Sequence, residues 1–192
     1  MRTQPRSGIV REVPRTIHTI GHSNLAAEPF FAALAEHGIA RLLDVRAFPG
    51  SRRHPQFGRD TLASACRERG IDYRWLPALG GRRRPARTDS PHLAWQVPAF
   101  RAYADYADSD EFAAALAELE ALAGETRSAF LCAEALWWQC HRRLIADRLL
   151  LAGWQVLHIG RALTPEEHHL PDFARVVDHR LVYDGGTTAP LL

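Results

Sequence analysis

The sequence predicts a single α/β domain, a mainly parallel open sheet of about five strands with helices on both faces, in Rossmann-like layering. Three observations predict it. Short runs rich in Ile, Val and Leu alternate with stretches whose apolar residues recur at helical spacing. Gly38, Gly70 and Gly153 stand just past the helical stretches, where a chain leaving a helix favours glycine. Polar and reactive residues concentrate after the strand runs, whereas the helix-to-strand turns are plain. In an open parallel sheet, the strand-to-helix loops share the carboxyl edge, where ligands bind.

Residues 1–15, rich in Pro and Arg, read as an N-terminal arm. Thr16–Ile20 is the first strand. The turn Gly21-His22-Ser23-Asn24 follows, with Ser23 or Asn24 placed to cap a helix whose apolar face is Phe30, Phe31, Leu34 and Ala35. Arg41–Val45 is the second strand, followed by a loop to Gly58 and a short helix, Asp60–Arg69. Asp72–Leu76 is the third strand, and Gly80-Gly81 breaks the chain. Residues 82–98 hold four arginines and three prolines with little periodicity, the pattern of a long loop or flap. Phe100–Tyr106 is a short helix. Asp108 or Ser109 caps the next, whose stripe is Phe112, Leu116, Leu119 and Leu122.

Ser128–Leu131 is the fourth strand. A helical pattern starts at its end, near Cys132, and runs to Leu151. On it His141 shares a face with Trp137, Leu144 and Ile145, and Arg143 and Asp147 form a surface pair. Trp154–Ile159 is the fifth strand, completing an α/β domain over 16–160. Residues 161–192 read as a C-terminal extension packed on the same domain, with weak strands at Val176-Val177 and Leu181–Tyr183.

Composition narrows the function. With 192 residues, 46% hydrophobic, the chain has ample material for a core. Its apolar runs are too short to cross a bilayer, so no membrane partner is expected. The N-terminus lacks the apolar segment of a secretory signal, and three cysteines are too few for a disulfide framework. The expected setting is cytoplasmic, with reduced thiols. All 24 basic residues are arginine, yet formal net charge is only +2. The surface as a whole is therefore no polyanion magnet, and the places where arginine forks cluster carry the information.

The richest segment is Cys132-Ala133-Glu134-Ala135-Leu136-Trp137-Trp138-Gln139-Cys140-His141-Arg142. Reactive groups between a strand's end and a helix meet oriented N–H groups and a positive dipole end, which can lower a thiol pKa and hold an anion. Candidate catalytic residues are Cys132 as nucleophile or redox thiol, Glu134 as orienting or proton-exchanging group, Cys140 as resolving or orienting thiol, and His141 as general acid or base. Candidate substrate-binding residues are His22, Ser23 and Asn24 after strand one, Asp44, Arg46, Ser51 and Arg52 at and after strand two, and Arg142. Plainer readings stand beside these: a buried inert Cys132, a core His141, Asp44 simply paired with Arg46, and Arg82, Arg83, Arg84 and Arg87 as a solvated loop.

Several chemistries are excluded. A phosphatase loop needs arginine where Trp138 stands. There is no Walker loop, no dinucleotide glycine fingerprint and no Gly-x-Ser-x-Gly elbow. No cofactor is predicted. Cys132, Cys140, His141 and His22 could serve a bound transition metal, although the cysteine spacing matches no standard zinc pattern and no metal ligand is assigned. The expectation is an enzyme acting on a small anionic or phosphate-bearing molecule, such as a nucleotide or base. An Arg-rich nucleic-acid-binding module is the alternative, and a redox or metal switch the second alternative.

Taken jointly, Thr19-Ile20-Gly21-His22-Ser23-Asn24, Asp44-Val45-Arg46 with Pro49, Ser51 and Arg52, Leu76-Pro77 with Leu79-Gly80-Gly81, and Cys132-Ala133-Glu134 with Cys140-His141-Arg142 carry a resemblance. Over residues 16–160 the chain resembles the bacterial and archaeal family known as domain of unknown function 488. It departs at Ala135-Leu136-Trp137-Trp138, where many members carry a polar stretch with proline. The resemblance implies a compact α/β domain and brings no reaction with it. Asp44-Val45-Arg46 is also similar to a short piece of rhodanese-like sulfurtransferases, whose cysteine loop has no counterpart here.

Overall fold

A computed structural model of the chain describes residues 15–50, 52–160, 164–178 and 180–185. The expected N-terminal arm lies outside these residues, apart from Arg15. The strands are β1 (Arg15–Gly21), β2 (Arg41–Asp44), β3 (Asp72–Trp75), β4 (Ser128–Cys132), β5 (Trp154–Ile159), β6 (Glu166–Glu167), β7 (Ala174–Val177) and β8 (Arg180–Tyr183). The α-helices are α1 (Ala27–Glu36), α2 (Arg59–Glu68), α3 (Pro98–Ala107), α4 (Asp110–Glu125) and α5 (Arg142–Leu151). Gly38, Gly70 and Gly153 follow α1, α2 and α5 with φ of 62°, 72° and 82°, the left-handed exits read from the sequence. Ser109 caps α4 by accepting the Phe112 N–H. Among the described residues, no helix is long and apolar enough to cross a membrane.

The main sheet has the order β3-β2-β4-β1-β5-β6, parallel except for β6. Thus β4 slots between β1 and β2. In register, Gly21 lies beside Cys132 and Asp44 beside Leu131, so the end of β4 is flanked by both neighbouring strand exits. Side chains alternate across the sheet. Ile17, Leu43, Phe130 and Val156 face α3, α4 and α5. Ile20, Leu42, Ala129 and Leu131 face α1 and α2. Period two therefore sends Cys132 to the α5 side and Asp44 to the α1/α2 side. The antiparallel pair β7-β8 forms its own small sheet, and its Ala174, Leu181 and Tyr183 join the α5-side core.

Three local expectations are corrected. Ser23 and Asn24 do not cap α1: Ser23 is a left-handed turn residue (φ 47°), and the cap position is Ala26, without a side-chain bond. The helix expected from Cys132 begins only at Arg142, after a loop with a 3-10 turn at Trp137–Gln139. Tertiary contacts override helical spacing here. The Cys132 and Ala133 carbonyls accept from His22 N–H (3.1 Å) and Ser23 N–H (2.8 Å), and the Glu134 carbonyl accepts from Arg142 (2.7 Å). The projected face shared by His141 and Trp137 therefore does not exist. Nor do Arg143 and Asp147 pair: Arg143 lies over Trp95, and Asp147 is fully buried.

Candidate functional site

The loop from Cys132 to Arg142 curls back on itself, so residues at its two ends meet. The His141 Nδ1 lies 3.8 Å from Cys132 Sγ and 3.6 Å from Cys140 Sγ. The opposite ring nitrogen, Nε2, is 3.2 Å from the Val45 carbonyl. A carbonyl only accepts, so Nε2 carries the proton and Nδ1 turns its lone pair toward the sulfurs. Gly81 passes over the same ring: a Cβ there would stand 2.5 Å from Nδ1. Only a glycine lets the chain after β3 come so near.

Arg142, 1% exposed, is the first residue of α5. Its guanidinium donates to Thr19 Oγ1 (2.9 Å) and to the Glu134 and Ala135 carbonyls (2.7 and 3.3 Å). Among the described residues no carboxylate pairs with it. Its charge falls on sulfur. The neighbouring Cys132 thiol, and then the Arg142 charge and N–H groups, draw the Cys140 thiol below its usual range despite burial. Cys132, whose thiol bond to Cys140 favours its protonated form and which is itself buried, is pushed up to about 12. The pair thus holds one proton more readily than two. Both cysteines are buried, Cys132 less completely (7% exposed) than Cys140 (2%).

A second cluster sits across the sheet. Asp44 grips Arg46 by a fork, Oδ1 to Nε (2.8 Å) and Oδ2 to Nη2 (2.5 Å), and also accepts from the Tyr73 hydroxyl (2.6 Å). Arg46 Nη1 donates to His22 Nε2 (3.1 Å) and the Phe57 carbonyl (2.9 Å). His22 Nδ1 then donates to the Ser23 carbonyl (2.9 Å), and the ring stacks on Phe57. Burial, aided by the Arg46 charge, holds His22 down at about 4. Arg46 is thus tied to its own carboxylate, and the unit braces the loop after β2. Asn24 and Arg52 are exposed on that rim, Ser23 is half-buried, and Ser51 lies outside the described residues. Glu134 contributes its backbone carbonyl, while the residue itself is exposed. In the arginine loop, Arg83 packs over Tyr106 and Arg87 pairs with Asp89 and Asp105.

Sequence reading missed a third network. His158 Nε2 bonds His168 Nδ1 (2.9 Å), His168 Nε2 bonds Asp147 Oδ1 (2.8 Å), and the Tyr183 hydroxyl donates to Asp147 Oδ2 (2.7 Å). Trp137 stacks on His158 at 4.1 Å, clamping the cysteine loop over β5. One signal was available: Trp154, Val156 and His158 alternate on one strand face, so the histidine faces inward.

The predicted residues therefore gather at one sheet edge but divide into two clusters, with Cys132, Cys140, His141 and Arg142 together and Asp44, Arg46 and His22 together. The backbone bonds between the His22 turn and the Cys132 end of β4 join them. No curated protein and no solved structure matches the chain. A family model described as domain of unknown function DUF488 matches residues 26–149, which takes in β2 through most of α5 and all four residues of the sulfur cluster, and the chain belongs to that family.

Proposed function

We propose that this protein is an enzyme of thiol–imidazole chemistry that acts on a small anionic substrate at the carboxyl edge of its sheet. One observation carries the reading: two sulfurs flank an imidazole nitrogen that can only accept a proton, and a buried guanidinium with no carboxylate partner among the described residues acts on one of them. Burying an uncompensated cation costs several kcal/mol, so Arg142 belongs with an anion. Sulfur is the anion within reach.

Cys132, the less buried of the two cysteines, attacks the electrophilic centre of the substrate. A bond forms from Sγ to that centre, and the bond to the leaving group breaks. The Cys132 proton passes to His141 Nδ1 or to the Cys140 thiolate, and from there to the leaving group. Arg142 holds the developing negative charge. The Ser23 hydroxyl, the Asn24 amide and the Arg52 guanidinium are the groups on the rim that meet the substrate's anionic part.

Two alkylating probes test the reading at neutral pH, with each cysteine followed by mass spectrometry. Cys132, 7% exposed and 3.8 Å from the His141 Nδ1 that takes its proton, is expected to react at least tenfold faster than the fully buried Cys66. Iodoacetate, the anionic probe, is expected to outrun iodoacetamide at Cys132. If Cys132 reacts no faster than Cys66, the thiol reading falls. If the probes show the preference of free cysteine, the anionic reading falls.

A further inference from the structure

We propose that Cys132 Sγ, Cys140 Sγ and His141 Nδ1 form a three-ligand site for a divalent cation of the zinc class, and that its occupancy switches the thiol chemistry off. The inference rests on the thiol reading only for the switching. The site itself stands on geometry. Zinc–sulfur bonds of about 2.3 Å and zinc–nitrogen bonds of about 2.0–2.1 Å at a tetrahedral angle place sulfur and nitrogen about 3.6 Å apart. The two sulfur–nitrogen distances are 3.6 and 3.8 Å, and all three atoms lie within 4.8 Å of one another. They already stand close to the edges of one tetrahedral face.

The donor chemistry agrees. Two thiolates and a neutral imidazole balance a divalent charge and suit a borderline-soft ion. The far ring nitrogen donates to the Val45 carbonyl, the kind of outer bond that orients a metal-binding histidine. The loop between the ligands has its own supports: Ser23 N–H on the Ala133 carbonyl, Arg142 on the Glu134 carbonyl, and Trp137 stacked on His158. The ligands are therefore pre-placed by the fold. Three protein ligands leave a fourth tetrahedral position for water or substrate. Binding displaces the thiol protons to solvent and engages the sulfur lone pairs, so a metal-bound Cys132 no longer attacks.

Metal-free protein titrated with zinc and with cobalt(II) tests the proposal. One ion per chain is expected, with a sulfur-to-cobalt charge-transfer band and the visible bands of a tetrahedral site. Cys66→Ser leaves both unchanged, and Cys132→Ser or Cys140→Ser abolishes the band. Gly81→Ala, which crowds the His141 ring while sparing every ligand, weakens binding at least tenfold with an unchanged circular dichroism spectrum. Zinc slows Cys132 alkylation at least tenfold, and a chelator restores it. Absence of the charge-transfer band, or a band that survives both serine variants, overturns the site. If zinc does not bind yet the metal-free thiol reacts fast, the metal proposal falls and the thiol reading stands. If zinc binds through both sulfurs while the metal-free thiol reacts like Cys66, the switching falls with the thiol reading and the site remains.

Discussion

Gly21→Ala tests whether the cysteine loop is held from below by β1. Gly21 closes that strand beside Cys132, and a methyl there would stand 1.8 Å from the Glu134 carbonyl oxygen and 2.8 Å from Arg142 Nη2. Real Cβ contacts do not fall under 3.0 Å, so the loop has to retreat by more than about 1 Å, and the 2.7 Å bond between Arg142 and Glu134 breaks. Overpacking costs about 1–3 kcal/mol, and the loss of a charged hydrogen bond about 1.5–3, for a total of about 2.5–6 kcal/mol. For a chain of this size each kcal/mol moves the melting temperature about 2–4 °C, so a fall of about 5–24 °C is expected. Gly124→Ala is the control: a Cβ at that α4 position meets nothing within 4 Å, and helix propensity favours alanine by up to about 1 kcal/mol. Urea unfolding of the three proteins decides. A Gly21→Ala variant within 1 kcal/mol of the parent would refute the reasoning, because the loop would then be free to move without cost.

Two further outcomes are expected. Burial, reinforced by His37 and Arg127, holds His18 at about 4, and burial with the Arg46 charge holds His22 at about 4. Both imidazoles are neutral in the fold but take up protons near pH 6.5 when unfolded. Their stabilisation is therefore complete above about pH 6.5 and drains away as the solution is acidified toward 4, before the depressed carboxyls of Asp72 and Asp108 add their own loss at lower pH. A urea midpoint that stays flat between pH 7 and pH 5 would contradict this. Asp147→Ala leaves the His168 N–H and the Tyr183 hydroxyl buried without an acceptor, a cost of about 3–5 kcal/mol in urea unfolding, whereas Tyr183→Phe removes one donor and costs about 1–2.

The parallel sheet was legible because its signals are local. Strand runs such as Arg41–Asp44 and Ser128–Cys132 are short and apolar, and left-handed glycines punctuate the helix ends. The convergence of Cys132 with the His22 turn was legible too, since a parallel sheet sends both loops to one edge. What stayed hidden depends on partners distant in sequence. The Ala133–His141 stretch has helical spacing, but its carbonyls are claimed by β1 and by Arg142. Asp147 looked like a surface partner of Arg143 because its real partners, His168 and Tyr183, lie 21 and 36 residues further along the chain. The split into two clusters followed from one-residue alternation along β2 and β4, which becomes meaningful only once the strand order is known.

The position of β4 also governs when the sulfur cluster can exist at all. Among the described residues, the backbone ladder of the sheet runs from β2-β3 to β1-β5 through Ser128–Cys132. A growing chain holds β1 apart from the β2-β3 pair until that segment has emerged, and Cys140 and His141 follow a few residues behind it. The three atoms of that cluster therefore cannot gather before the middle of the sheet has closed.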